Sequence, residues 1–208
     1  MRKRIFLFAF IFVALTTNSA LAQYTEKRPA RSVKGQLLSS DNLPPLRVKF
    51  KKPFKFVGSQ SFVLYEKAQV EQFFFIETDE RGRIERMYMT QFEGSLPNAG
   101  ATYNYPATQT VTLGKEMYVV NAEVISNVSA ALKQNPQSDI ARAASFLENK
   151  GFRVGEEITF QRFVRVVDEA KQHEIILLYV EAGNTLGSTE KAKQEFARRA
   201  VKGLKVLT

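Results

Sequence analysis

The amino-acid sequence predicts an α+β fold: an antiparallel β-sheet of about six to seven strands, with two mid-chain helices and a C-terminal helix packed on it. Three observations lead to this class. Apolar and polar residues alternate in the first half of the chain, helical spacing appears in the middle and at the end, and two apolar stretches lie between those helices. Because strands cluster instead of alternating with helices, we expect an antiparallel sheet.

The first 22 residues have the features of a cleavable signal peptide. Residues 2–4 are basic, residues 5–15 are apolar, and residues 20–22 read Ala-Leu-Ala before a predicted cut. The apolar run is shorter than the about 20 residues that a membrane-spanning helix needs. We therefore expect an exported protein, periplasmic or secreted, with no transmembrane segment after cleavage.

Composition excludes several kinds of chemistry. The chain has no cysteine and one histidine, so a disulfide framework and the usual zinc and copper ligand sets are missing, and we expect no cofactor. The 30 basic and 21 acidic residues become 27 and 21 once the three basic residues of the signal peptide are removed, a net charge of about +6. This moderate excess permits an anionic partner without requiring one.

Polar residues dominate residues 23–45, which also contain glycine and proline and show no sustained apolar period. This composition predicts a flexible or loosely docked N-terminal arm. Residues 46–208 are then predicted to form a single α+β domain.

The period changes to two from Arg47. Apolar residues at 48, 50, 54 and 56 share one side of a predicted strand, and the other side is basic, with Arg47, Lys49, Lys51 and Lys55. Pro53 lacks an N–H group, which places this strand at an edge or a bulge. The basic side has two interpretations. It is either a surface for an anionic partner, or a charged edge that prevents aggregation between sheets.

Further strands are predicted over 62–65, 72–78 and 84–92, with a turn at 58–61 and a hairpin loop at 79–82. Alternation places Phe73 and Phe75 on one side of the second of these strands and Phe74 on the other. A sheet buried on both sides explains the three phenylalanines, and a ligand pocket lined by Phe74 is the alternative. The irregular stretch 94–109 carries Tyr103 and Tyr105, and loops of this length are often functional.

Valines and a leucine four residues apart between 120 and 132 predict a first helix, although 117–120 alone also fits a strand. A second helix is expected from the N-cap Ser138 to the stop at Gly151. Strands follow over 158–167 and 174–180, and the second is apolar on both sides, as in a central strand. The chain is predicted to close with a helix from about Thr189 that includes Leu204.

No catalytic motif is present. His173 lies in a polar stretch typical of a turn, and there is no G-x-S-x-G elbow or phosphate-binding glycine motif. Hydrolysis by two carboxylates stays open, because their separation is a tertiary property. Glu77 and Glu123 come closest to acids in apolar runs, yet a strand end and a solvent face suit them better. We therefore expect no carboxyl group with a raised pKa.

These observations favour an exported, non-catalytic binding protein of the bacterial envelope. Its expected partner is an apolar or amphiphilic ligand held between sheet and helix, with Tyr103 and Tyr105 at the mouth and Phe74 inside, or another envelope protein. Nucleic acid is not expected, because no RNA-binding aromatic motif is present. The alternative hypotheses are a hydrolase with paired carboxylates, and an assembly factor that docks through its basic strand.

Overall fold

The chain folds into two antiparallel sheets and three helices over residues 30–97, 99–100, 102–106 and 108–207, which the computed structural model describes. The predicted signal peptide lies outside these residues. In chain order the elements are β1 (Arg31–Lys34), β2 (Leu37–Ser40), β3 (Leu46–Phe50), β4 (Lys55–Leu64), β5 (Ala68–Thr78), β6 (Ile84–Ser95), β7 (Thr110–Leu113), β8 (Glu116–Ile125), α1 (Val128–Gln134), α2 (Asp139–Asn149), β9 (Ile158–Val166), β10 (His173–Ala182), α3 (Glu190–Lys202) and β11 (Leu204–Leu207).

The large sheet has seven strands in the order β4-β5-β6-β10-β9-β8-β7, and the small sheet has four in the order β1-β2-β3-β11. The predicted α+β class with two mid-chain helices and one C-terminal helix is confirmed. The small sheet was not predicted, because its strands come from the two ends of the chain and pair only in the folded protein.

Each side of the large sheet supports its own apolar core. On one side, Tyr88, Phe163 and Leu177 pack with buried residues of the small sheet and of α3. On the other side, which we call the helix-facing side, Met89 and Leu178 pack with residues of α1 and α2. Strand β10 is buried along both sides between β6 and β9, which confirms the predicted central strand.

Helices α2 and α3 form where local signals predict them. The Ser138 side chain accepts a hydrogen bond from the Ala141 N–H, and Thr189 does the same for Ala192, so both helices begin at capped ends. The predicted end of the last helix is wrong. Helix α3 ends at Lys202, and Leu204 begins β11, which pairs with β3.

The predicted first mid-chain helix is also wrong over its first half. Residues 116–125 form strand β8, which pairs with β7 and β9, and α1 begins only at Val128. The error has a simple cause. Residues four apart lie on the same side of a strand as well as of a helix, so the spacing from Val120 to Leu132 fits both structures.

The predicted single strand over residues 47–56 is two strands in different sheets. Strand β3 ends at Phe50, and β4 begins at Lys55. The predicted turn at 58–61 lies instead inside β4, at a shift of register by Gly58. Gly58 has φ +139°, and a Cβ atom there would lie 3.0 Å from Phe146 and Lys150, so its lack of a side chain lets α2 approach β4 closely.

The segment predicted as a flexible arm is part of the small sheet over its described residues. Strands β1 and β2 pair with each other, and β2 also pairs with β3. Arg31 in β1 bonds to Glu71 in β5 at 2.5 Å, and its guanidinium lies 4.0 Å from the centre of the Phe92 ring. Composition failed to reveal these strands because each is only four residues long.

No helix among the described residues is long and apolar enough to cross a membrane.

Candidate ligand site

Two glutamates face each other on the helix-facing side of the large sheet. Glu93 in β6 is the register partner of Glu174 in β10. Directly opposed residues of an antiparallel pair have Cβ atoms about 4.5–5.5 Å apart. Glu174 is 2% exposed, and Glu93 is partly buried. The fold therefore brings two acids from different parts of the chain into one place with little solvent.

Burial shifts the titration of both acids. The pKa of Glu174 is raised to about 7, mainly by loss of solvent and also by the facing Glu93, although Tyr105 and Arg162 oppose the shift. The pKa of Glu93 is raised mainly by burial as well. The expectation that no carboxyl group would have a raised pKa is therefore wrong. It failed because Glu93 and Glu174 each lie at one end of an apolar strand, where sequence alone suggests exposure.

Tyr103 and Tyr105 lie over this pair. The Tyr103 hydroxyl donates to Oε1 of Glu93 at 3.0 Å, and its backbone N–H donates to the Lys171 carbonyl at 2.8 Å. Tyr105 lies beside Glu174 and favours the ionised form of its carboxyl, which lowers the pKa of Glu174. The Arg162 guanidinium lies 5.5 Å from the centre of the Tyr105 ring. The structure thus brings the two predicted tyrosines together, and it adds two carboxyls and a guanidinium that the sequence did not indicate.

A row of glutamines holds Glu93 in place from the other side. Gln60 donates to Gln72 at 2.7 Å, and Gln72 donates to Gln91 at 2.7 Å. Gln91 then donates to Glu93 at 2.8 Å and to Asp139, the first residue of α2, at 3.0 Å. Because each amide fixes the next, this row orients the Glu93 carboxyl and links it to the start of a helix.

One oxygen of the pair has no partner. Oε2 of Glu174 is buried and makes no hydrogen bond to any described residue. A buried polar atom without a partner is costly, so the position favours either a proton on the carboxyl or a donor from a bound molecule.

Phe74 does not join the tyrosines. It is fully buried and stacks on Phe146 of α2, with ring centres 4.8 Å apart. An apolar cavity of about 50 Å³ lies between the large sheet and the helices, lined by residues such as Met87, Leu147 and Leu178. This space holds little more than one water molecule, so an amphiphile does not fit between sheet and helix in this structure.

A second concave surface is open to solvent. A groove of about 690 Å³ runs beside α2, and Gln60, Arg142, Phe146 and Lys150 are among its lining residues. Gln60 also begins the glutamine row that ends at Glu93. The groove and Glu93 are therefore connected by a continuous chain of hydrogen bonds.

His173 is the first residue of β10, and its Nδ1 lies 3.1 Å from Oδ2 of Asp168. Its ring packs on Gly94, where a Cβ atom would come within 2.8 Å. Within the described residues, no group of three or more His, Asp or Glu side chains is arranged to hold a metal ion.

The other acids considered from sequence are at the surface or paired. Glu77 forms an ion pair with Arg86, and Glu123 is exposed and accepts a hydrogen bond from Asn121.

The fold divides the residues of the predicted basic surface between the two sheets. Arg47 and Lys49 are exposed on β3, Lys51 follows that strand, and Lys55 begins β4 in the other sheet. Strand β3 lies between β2 and β11, so the predicted edge position is wrong for this strand.

Comparison with known proteins gives no family for this chain. No protein-family model matches it, and no curated protein or solved structure shows significant similarity.

Proposed function

We propose that this protein is an exported, non-catalytic binding protein that holds an amphiphilic ligand under the loop of Tyr103 and Tyr105. The observation that carries the proposal is the buried Glu93–Glu174 pair, in which one carboxyl oxygen has no partner. A ligand with an N–H or O–H group would satisfy that oxygen, and the two aromatic rings would cover its apolar part.

The site is suited to exchange of such a ligand. Tyr103 and Tyr105 lie in residues 102–106, which have no regular secondary structure and cover carboxyls supplied by two rigid strands. Loops on a rigid sheet open at lower cost than the sheet itself. A pKa of about 7 for Glu174 lets the site receive a neutral or a positively charged head group near neutral pH.

Removing the two tyrosine rings is expected to abolish ligand retention. Native mass spectrometry of the protein, purified without detergent from an expressing cell, should show extra mass that disappears on denaturation. The Tyr103→Ala, Tyr105→Ala double variant should lose this mass because the cover over the carboxyls is gone. Tyr65→Ala is the matched control, since Tyr65 is 49% exposed and its hydroxyl donates a hydrogen bond to Asn135, away from the carboxyl pair.

The double variant Tyr103→Phe, Tyr105→Phe separates loss of binding from loss of folding. It keeps both rings and removes only their hydroxyls, so an unchanged melting temperature with weaker retention would support the site. Full retention of ligand by a folded double alanine variant would refute it.

A hydrolase remains the second candidate because of one feature. The facing carboxyls include one whose pKa is raised to about 7, as suits an acid that donates a proton to a leaving group. Chromogenic aryl glycosides provide the test. Turnover that is lost in both Glu93→Gln and Glu174→Gln, but kept in Glu123→Gln, would favour the hydrolase. The binding proposal predicts no turnover above that of buffer.

A further inference from the structure

The outer side of the small sheet carries basic residues on three of its four strands. Alternate residues of β1, β2, β3 and β11 point into the core, and the others form an outer surface that we call the basic face. Its cations are Lys34 on β1, Arg47 and Lys49 on β3, and Lys205 on β11, all of them exposed. Lys34 and Lys205 were not part of the surface predicted from sequence.

No negative charge on the strands balances these cations. The four strands of the small sheet contain no Asp or Glu, and Asp41 lies in the connection between β2 and β3. None of the four cations forms an ion pair with a described residue. Lys49 is moreover the register partner of Lys205, and like charges directly opposite each other destabilise a sheet. The fold thus keeps this charge at a cost to its own stability.

Lys34 and Lys205 lie on β1 and β11, the edge strands of the small sheet, but protection of an edge does not explain the charge on β3. Lysines on an edge block pairing with another chain, but β3 already pairs with β2 on one side and β11 on the other. Its backbone has no free edge to protect. The charge of Arg47 and Lys49 therefore needs an explanation outside the sheet.

The cations form an open array across the surface of the small sheet. Lys34, Lys49 and Lys205 lie in one row across the four strands, together with Leu37, and strand spacing makes that row about 14 Å wide. Arg47 lies two residues along β3, about 7 Å away in the next row. Three of the four are lysines, which act as point charges rather than as the paired donors by which arginine grips one phosphate.

We infer that the basic face docks on an anionic lipid bilayer. Lysines spread across a sheet surface suit a layer of phosphate head groups, which attracts each basic residue separately. Leu37 and Leu207 lie on the same face, are only partly buried, and offer apolar contact at the level of the head groups. This docking does not depend on the proposed ligand site, which lies on the other side of the large sheet.

Charge reversal tests the inference. The full-length mature protein is mixed with phosphatidylcholine vesicles that contain about one third phosphatidylglycerol, and the bound fraction is measured by sedimentation. The triple variant Lys34→Glu, Lys49→Glu, Lys205→Glu should bind at least about 100-fold more weakly, since each basic residue contributes about fivefold. Raising the salt to about 0.5 M should release the wild-type protein, because the Debye length falls below 5 Å.

A control variant with the same change in net charge shows whether vesicle binding depends on the basic face itself or only on the net charge of the protein. Lys67→Glu, Lys133→Glu, Lys150→Glu reverses three exposed lysines outside the small sheet and should bind nearly as wild type. Equal losses in both triple variants would overturn the inference. So would wild-type protein that binds soluble heparin but not the vesicles.

The single variant Lys49→Glu tests whether weaker vesicle binding could result from misfolding. It replaces the repulsion with Lys205 by an attraction, so its melting temperature should equal or exceed that of wild type while vesicle binding falls about fivefold or more. Unchanged vesicle binding in this folded variant would also overturn the inference.

Discussion

Glu174→Gln is expected to stabilise the protein by about 3 kcal/mol at alkaline pH and to remove most of the pH dependence of its stability between about pH 4.5 and 7. In the folded protein, burial raises the pKa of Glu174 from 4.5 to about 7. Between these values the folded state binds more protons than the unfolded state. Stability is therefore greatest below the unfolded pKa and is lost as the pH rises through the folded pKa.

Urea unfolding at a series of pH values measures this effect directly. As the pH rises from about 4.5 to 7, the free energy of unfolding of the wild-type protein should fall, and that of Glu174→Gln should stay nearly constant. Glu123→Gln is the control, because Glu123 is exposed, and it should follow the wild-type slope. A wild-type profile that is flat, or a variant with the same slope, would show that the Glu174 carboxyl is not desolvated.

Arg31→Ala is expected to destabilise the protein by about 3 to 5 kcal/mol. The Arg31 side chain is 6% exposed, and its partner Glu71 is 22% exposed, so truncation leaves a largely buried carboxylate without its cation. It also removes a hydrogen bond to the Leu43 carbonyl at 3.0 Å and the contact with the Phe92 ring. Because Arg31 ties β1 to β5 of the other sheet, its loss should loosen the small sheet first.

A double variant distinguishes broken pairing from lost packing. Arg31→Met with Glu71→Leu removes both charges and keeps apolar volume, so its stability should lie within about 1 kcal/mol of wild type or above it. Lys193→Ala breaks a solvent-exposed pair with Glu190 and should cost less than about 0.5 kcal/mol. If Arg31→Ala cost no more than this control, the small sheet would not depend on the buried pair.

Secondary structure could be predicted where the signals are local. Ser138 and Thr189 cap α2 and α3, and each helix buries the apolar residues that its spacing indicates, such as Leu147 and Phe196. The central position of β10 was also predictable, since only a strand covered on both sides tolerates apolar residues at every position.

The errors occur where a local pattern fits two structures. Val120 and Val124 lie on one side of a helix or of a strand, and only pairing with β9 decides for the strand. Arg47 to Lys55 alternates as one strand would, yet the chain changes sheets between Phe50 and Lys55. No feature within these segments indicates which partner strand is available.

The candidate site was predictable in part. Tyr103 and Tyr105 were identified from their place in a long irregular stretch, and both contact the buried acids. Glu93 and Glu174 were missed, because a glutamate at the end of an apolar strand has the same local sequence whether it faces solvent or another carboxyl.

The sequence by itself determined the fold class, the capped helices, the central strand and the absence of cysteine chemistry, since each of these follows from composition or from the period of a single segment. Only the tertiary structure decided that both ends of the chain join in a second sheet, that its outer face is basic, and that Glu93 faces Glu174. The physical reason is that strand register and desolvation depend on residues distant in the chain, whose pairing no single segment encodes.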